Sequence, residues 1–236
     1  LFPEGRLLGI YDAPKTVPLL EVDSENLVVG PGVWEDQDPA NRSLYPFVRL
    51  DTMALPGTWQ PAPVTVRPIF KYFPDTNVRV AFEELFEEGT PDFEPYGTRT
   101  DQASLTRQQG GAYTGTGYGQ ALFDEERRSL ELQSSRAFLL PQNGTSVWLE
   151  VAYRSNVQFG VSLVASTLQE VTVLRPKLPG LAYTPDGWTQ LYFNLTAYAQ
   201  NAPPDAVFRL YLLVLTDGST RRLELDRLRL LYFQQS

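Results

Sequence analysis

The sequence predicts an all-β protein whose C-terminal part is a jelly-roll β-sandwich. Three observations carry that expectation. From residue 121 onward, short segments alternate apolar and polar residues with the period of a strand. Turn-forming residues separate those segments at short intervals, the pattern of a sandwich or jelly roll. Upstream, Pro56, Pro61, Pro63 and Pro68 punctuate residues 45–71 and leave no room for a long helix.

Residues 1–18 read as an extended tether, because Leu7, Leu8 and Ile10 are followed by Pro14 and Pro18. Closely spaced prolines fix φ and withhold donors from any ladder. Residues 19–77 are expected to form a small, reduced, β-sandwich-like domain. In it LLEVDSENLVVG (19–30) suggests a short strand, and PGVWEDQDPANRS (31–43) is polar and turn-rich. Val64-Thr65-Val66 and Ile69-Phe70 look like further strand pieces.

The jelly roll is expected over 78–236. VRVAFEELFEEG (78–89) reads as a strand and then a loop, since Gly89, Pro91 and Pro95 follow closely. Residues 97–120 are rich in Gly, Thr, Ser and Gln and read as a loop or a weakly patterned strand pair. They lack the Lys-Ser/Thr pair and the following helix of a phosphate cradle. RSLELQS (128–134), FLLP (138–141), SVWLEVAYRS (146–155), VQFGVSLVAS (157–166) and EVTVLRP (170–176) read as strands. So do WTQLYFNLT (188–196), VFRLYLLVLT (207–216) and RRLELDRLRLLYF (221–233). Two hairpins are expected, one turning at Ser155-Asn156 and one at Asp217-Gly218.

Composition narrows the chemistry. The chain has no cysteine and no histidine. That removes disulfides, thiolate and imidazole metal sites, and any His-based triad within these residues. Carboxylate pairs, Ser/Lys arrangements and oxygen-ligand metal sites remain. A net charge of −8 argues against nucleic acid as a partner. No stretch is long and apolar enough for a membrane-spanning helix. A start at Leu1 suggests a processed amino terminus and export.

Several segments resemble a group of Bacteroidota surface lipoproteins. The resemblance rests on KTVPLLEVDS (15–24), on RSLYPF (42–47) leading to FKYF (70–73), and on FEELFEEGT (82–90) with the closing W…LYFNLT…LELDRLRLLYF. In that group a tether and a small β domain precede a galactose-binding-like jelly roll. Glu84, Phe86 and Glu87 match the segment that opens the jelly roll, whereas Leu85 stands where an acid is expected. The small domain is also shorter than the group's between Leu27 and Val33. The resemblance implies a lipidated cysteine just upstream of Leu1, an outer-membrane or cell-surface location, and other outer-membrane proteins as partners. The lipid would be the only attachment to the membrane.

Four sets of residues are candidates for chemistry. Related carbohydrate-binding jelly rolls hold a structural calcium between acids of the opening and closing strands. The resemblance therefore nominates Glu84, Glu87 and Asp226, against a reading as a solvated acidic turn. Trp34, Trp59, Tyr113 and Tyr118 sit in loops and are candidates for stacking on sugar rings, whereas Trp148 and Trp188 lie in patterned strands and are assigned to the core. A carboxylate pair could support glycoside hydrolysis, but no pair is singled out, and no catalytic residue is assigned. Asp51-Thr52-Met53 resembles a short O-glycan acceptor, and Asn41, Asn143 and Asn194 lie in sequons, the last inside a patterned strand. The leading expectation is a non-enzymatic accessory subunit of an outer-membrane assembly. The alternative is a carbohydrate-binding module, and an enzyme using carboxylates comes third.

Overall fold

The computed structural model describes residues 9–11, 14–17, 26–35, 41–54, 65–74, 76–174, 177, 184 and 187–234. They divide into two compact units, residues 1–33 with 43–75 and residues 34–42 with 76–236. Most of the expected tether and residues 19–25 lie outside the described residues.

In the first unit, β1 (Asn26–Val29) pairs antiparallel with β4 (Asp51–Ala54). Between them in sequence, β2 (Gly32–Trp34) and β3 (Arg42–Leu44) form a two-stranded sheet. Leu27, Tyr45 and Phe47 are buried, and the Tyr45 and Phe47 rings meet edge to face at 5.5 Å. Of the strand pieces expected at 64–66 and 69–70, Val64 lies outside the described residues; residues 65–70 form no ladder, and Tyr72 makes an isolated bridge to Val48. Pro68 beside Ile69 withholds a donor where a ladder would need one.

The second unit is a two-sheet sandwich of jelly-roll type. One sheet runs β13 (Thr189–Asn194), β10 (Val147–Ser155), β15 (Arg221–Phe233), β8 (Gly117–Phe123), β7 (Thr106–Gln109), and β5 (Val78–Glu84) also pairs with β15. The other runs β12 (Val171–Val173), β11 (Phe159–Ser166), β14 (Val207–Leu215), β9 (Ser129–Ser134), β6 (Phe93–Pro95). All named pairings are antiparallel.

Alternation decides which side chains are inside. On β10, Val147, Leu149, Val151 and Tyr153 join the core, and on β15 Leu223, Leu225, Leu228 and Leu230 do. From the opposite sheet they meet Leu130, Leu132, Phe159, Val161, Leu163, Phe208, Leu210, Leu212 and Val214. Each such side chain contributes about 1.5–3 kcal/mol when fully buried. The inward set on β15 changes phase between Leu225 and Leu228. Arg227 takes φ 48°, and the β10 register shifts between Glu150 and Ala152, so a bulge supplies the extra residue. A one-turn helix, α1 (Thr196–Gln200), follows β13 and buries Ala199.

Neither expected hairpin forms. β10 and β11 belong to different sheets, and so do β14 and β15. The turn residues are where they were read, but the chain uses them to cross the core. The Ser155 hydroxyl takes the Val157 amide at 3.0 Å and donates to the Val157 carbonyl at 2.7 Å, which tightens that corner. FLLP contributes one isolated bridge, Phe138 to Phe208, rather than a strand.

A candidate binding face on the six-stranded sheet

The outward-pointing residues of the six-stranded sheet line up across the strands. Arg154 stands opposite Glu224, Glu224 opposite Gln120, and Gln120 opposite Thr106. Trp188 extends the row, because Tyr153 pairs with Thr189 and the next position places Trp188 beside Arg154. Five positions across four strand gaps give a platform about 19 Å long, running at right angles to the strands. The Arg154 guanidinium lies 5.0 Å from the centroid of the Trp188 ring and 5.9 Å from that of Tyr118. Its Nε donates to Glu224, while Gln120 Nε2 donates to the other Glu224 oxygen at 2.9 Å. Arg222, two residues upstream on the same face, brings its Nε to 3.5 Å from Glu224.

The neighbouring row is Gln190, Ala152, Asp226, Tyr118 and Gln108. Its middle is roofed by the glycine-rich connection between β7 and β8. Ala152, only 1% exposed, leaves height for that loop. Four contacts pin it down. Trp188 Nε1 donates to the Gly111 carbonyl at 2.8 Å, and Tyr113 Oη meets Gln190 Oε1 at 3.2 Å. The Thr114 amide donates to Asp226 Oδ2 at 2.8 Å, and Glu87 accepts from the Thr116 amide at 2.9 Å and the Thr116 hydroxyl at 2.8 Å. Glycine is required at two places here. A Cβ on Gly117 would stand 2.0 Å from the Phe86 carbonyl oxygen, and Gly110 has φ +82°.

The electrostatics follow from these contacts. Hydrogen bonds from Thr116 and Gly117 hold the Glu87 carboxyl below its ordinary range. Burial pushes Asp226 up, against the opposing pull of nearby amides. Asp226 Oδ1 is buried with no hydrogen-bond partner among the described residues. The Glu224 hydrogen bond raises Arg154, which keeps its charge.

The sequence-nominated residues are divided by this geometry. Tyr113 and Tyr118 stand at the face, Tyr118 edge-on to Trp188 at 5.8 Å and Tyr113 at 6.4 Å from it. Trp34 is exposed on β2 under the Arg42 guanidinium at 5.5 Å and does not belong to the rows; Trp59 lies outside the described residues. Trp148 is buried, but on the outward side of β10 and outside the core cluster, and Trp188 is half-buried at the end of the platform rather than in the core. It directly precedes β13, where alternation ceases to indicate a face.

Glu84, Glu87 and Asp226 do not converge on one point. Glu84 accepts the amides of Phe86 at 2.6 Å and Asp92 at 2.5 Å, whereas Asp226 holds the Thr114 amide and Glu87 the Thr116 amide of the loop. Among the described residues no group of three acids is arranged to hold a metal ion. Lone pairs that calcium would need are turned onto N–H donors. Sequence reasoning missed Arg154, Glu224, Gln120 and Arg222. Arg154, Arg222 and Glu224 lay at outward positions of two strands read correctly, whereas Gln120 lay in the segment read as a loop or a weakly patterned strand pair; the register that aligns all four was not legible.

No protein-family model matches the chain, and no curated protein matches it. Solved structures are similar to it at low identity. The CBM22-1 xylan-binding domain of Paenibacillus barcinonensis Xyn10C is 14% identical with a TM-score of 0.44, covering 67% of this chain and 97% of that one. The family 11 carbohydrate-binding module of Clostridium thermocellum, in complex with a mixed-linked tetrasaccharide, is 8% identical with a TM-score of 0.42, covering 65% and 95%. The K3 adhesin domain of Lys-gingipain from Porphyromonas gingivalis is 11% identical with a TM-score of 0.44, covering 65% and 98%. At these scores the likenesses carry nothing about ligands.

Proposed function

We propose that the second unit is a non-catalytic glycan-binding module that uses the outward face of its six-stranded sheet. The observation that carries this reading is the transverse row from Trp188 to Thr106. It sets an aromatic ring, a guanidinium and amide and hydroxyl groups at strand spacing on one surface. A sugar offers apolar C–H faces and a rim of hydroxyls. Aromatic rings answer the first, and charged or amide side chains answer the second. The row's length favours an extended oligosaccharide over a single sugar.

Recognition rather than hydrolysis is supported by the state of the acids on this face. Glu224 is 1% exposed and tied to arginine and glutamine, and Asp226 is buried beneath the loop. Neither is presented to a glycosidic bond. Of the readings the sequence left open, glycan binding is the one this surface favours. The outer-membrane assembly subunit draws no comparable support from the described residues.

Affinity electrophoresis and calorimetry of the whole chain against soluble polysaccharides test the proposal. Binding is expected, and Trp188→Ala is expected to weaken it about 5–30-fold, the equivalent of one to two kcal/mol. Because Trp188 also holds Gly111, Trp188→Phe serves as the companion variant: it keeps an aromatic ring, smaller than the indole, and removes the Nε1 donor. Retained affinity in Phe with loss in Ala supports stacking. Binding unchanged in Ala, or no binding to any polysaccharide, overturns the proposal.

A further inference from the structure

We infer that the ligand of this face carries a carboxylate, as a uronic-acid-containing oligosaccharide does, and that the terminal nitrogens of Arg154 and Arg222 receive it. The inference rests on the glycan-binding reading and specifies its chemistry. Two guanidiniums share one buried acid. Arg154 commits Nε to Glu224, and Arg222 places its Nε 3.5 Å from the same carboxylate. The terminal nitrogens of both find no acceptor among the described residues. Their side chains are 23% and 42% exposed, so those nitrogens can reach solvent.

The neighbouring acids are otherwise engaged. Asp226 is turned onto the Thr114 amide under the loop, and Glu150 lies 3.8 Å from Arg229 further along the sheet. The open end of the platform therefore holds two positive charges against one negative. This surplus stands on a chain whose net charge is −8. Recognition of neutral hydroxyls does not call for a second arginine. A planar fork with free N–H groups matches a carboxylate by paired hydrogen bonds, and lysine could not replace that geometry. Trp188 and Tyr118 flank the Arg154 fork and limit its freedom before any ligand arrives.

The test compares each acidic polysaccharide with its carboxyl-reduced form, which keeps the sugars and linkages and removes only the charge. Polygalacturonate, alginate and glucuronoxylan are the probes, with a sulfated neutral glycan as a further arm. Calorimetry with the whole chain is expected to show at least one native form bound roughly tenfold or more tighter than its reduced partner, as loss of a charge-assisted hydrogen bond requires. Arg222→Gln, at an exposed side chain, is expected to abolish most of that preference while circular dichroism stays unchanged. Added salt is expected to weaken the native form only. Equal binding of native and reduced forms overturns the inference and leaves glycan binding intact. So does binding confined to the sulfated arm, or a preference that survives in Arg222→Gln. No binding in any arm overturns both.

Discussion

Replacing Arg154 by alanine tests whether the platform is held together as described. Glu224 is 1% exposed, so its charge depends on neighbours rather than on water. Removing one partner of a buried ion pair costs about 3–5 kcal/mol when nothing else remains. Glu224 keeps Gln120 at 2.9 Å and Arg222 at 3.5 Å, which lowers the expected loss to about 2–3 kcal/mol. Loss of the guanidinium above Trp188 and Tyr118 adds about 0.5–1 kcal/mol. A total near 3 kcal/mol corresponds to a Tm lowered by about 6–12 °C for a unit of this size. Urea unfolding followed by circular dichroism would give the free energy, Glu224→Leu alone and with Arg154→Ala closes the cycle, and Arg154→Met with Glu224→Leu replaces the pair by apolar side chains. That double variant is expected to fall within about 1 kcal/mol of the parent, since an apolar pair leaves no buried charge behind. If Arg154→Ala costs under about 1 kcal/mol, or costs as much once Glu224 is replaced, the ion pair does not hold the face and the reasoning fails.

Two further outcomes are expected. Burial raises the Asp226 pKa in the folded state, so its stabilising share is full below the unfolded value and is lost as pH rises through the folded one. Asp226→Asn should therefore match or exceed the parent by about 1–2 kcal/mol near pH 7 and show no advantage near pH 3, in melts run at both; a parent clearly more stable near pH 7 would refute this. Gly117→Ala places a methyl 2.0 Å from the Phe86 carbonyl oxygen, at a residue already held at φ 55°. It should cost about 1–3 kcal/mol. Gly110→Ala, with φ +82° and open space around it, should cost only the left-handed backbone strain of about 1–2 kcal/mol. Denaturation curves of the pair check the order.

How much was legible varied with the kind of information each feature needs. The apolar alternation of β9, β10, β11, β14 and β15 located those strands, because each must turn an apolar row to the core, even where, as on β10 and β11, the other face is covered too. Short strands such as β2, β3 and β6 were missed, since three residues such as Arg42-Ser43-Leu44 or Phe93-Glu94-Pro95 show no period. The two hairpins failed for a different reason. Ser155-Asn156 and Asp217-Gly218 mark reversals of the chain, and a reversal looks the same whether the next strand pairs with the last or faces it across a core. The site failed in the same way. Tyr113 and Tyr118 stood out as aromatics among glycines, but Arg154, Glu224 and Gln120 are 34 to 104 residues apart pairwise and become neighbours only through register. Glu87 and Asp226 were nominated as calcium ligands through the resemblance, whereas their partners in the structure are loop amides, which no sequence pattern displays.

The position of β15 has a consequence for biosynthesis. It is the final strand described, yet it sits inside its sheet and pairs with β5, β8 and β10. While the chain is being made, β5 must wait for β15, a gap spanning Glu84 to Leu228. At ordinary translation rates that delay is roughly ten to thirty seconds. Throughout it the apolar side of the nascent sheet lacks its central strand, so the module cannot close stepwise from its beginning. A ribosome stalled before Arg221 would present an open, sticky half-sandwich, and a holding chaperone or prompt completion is what keeps such a chain from associating with its neighbours.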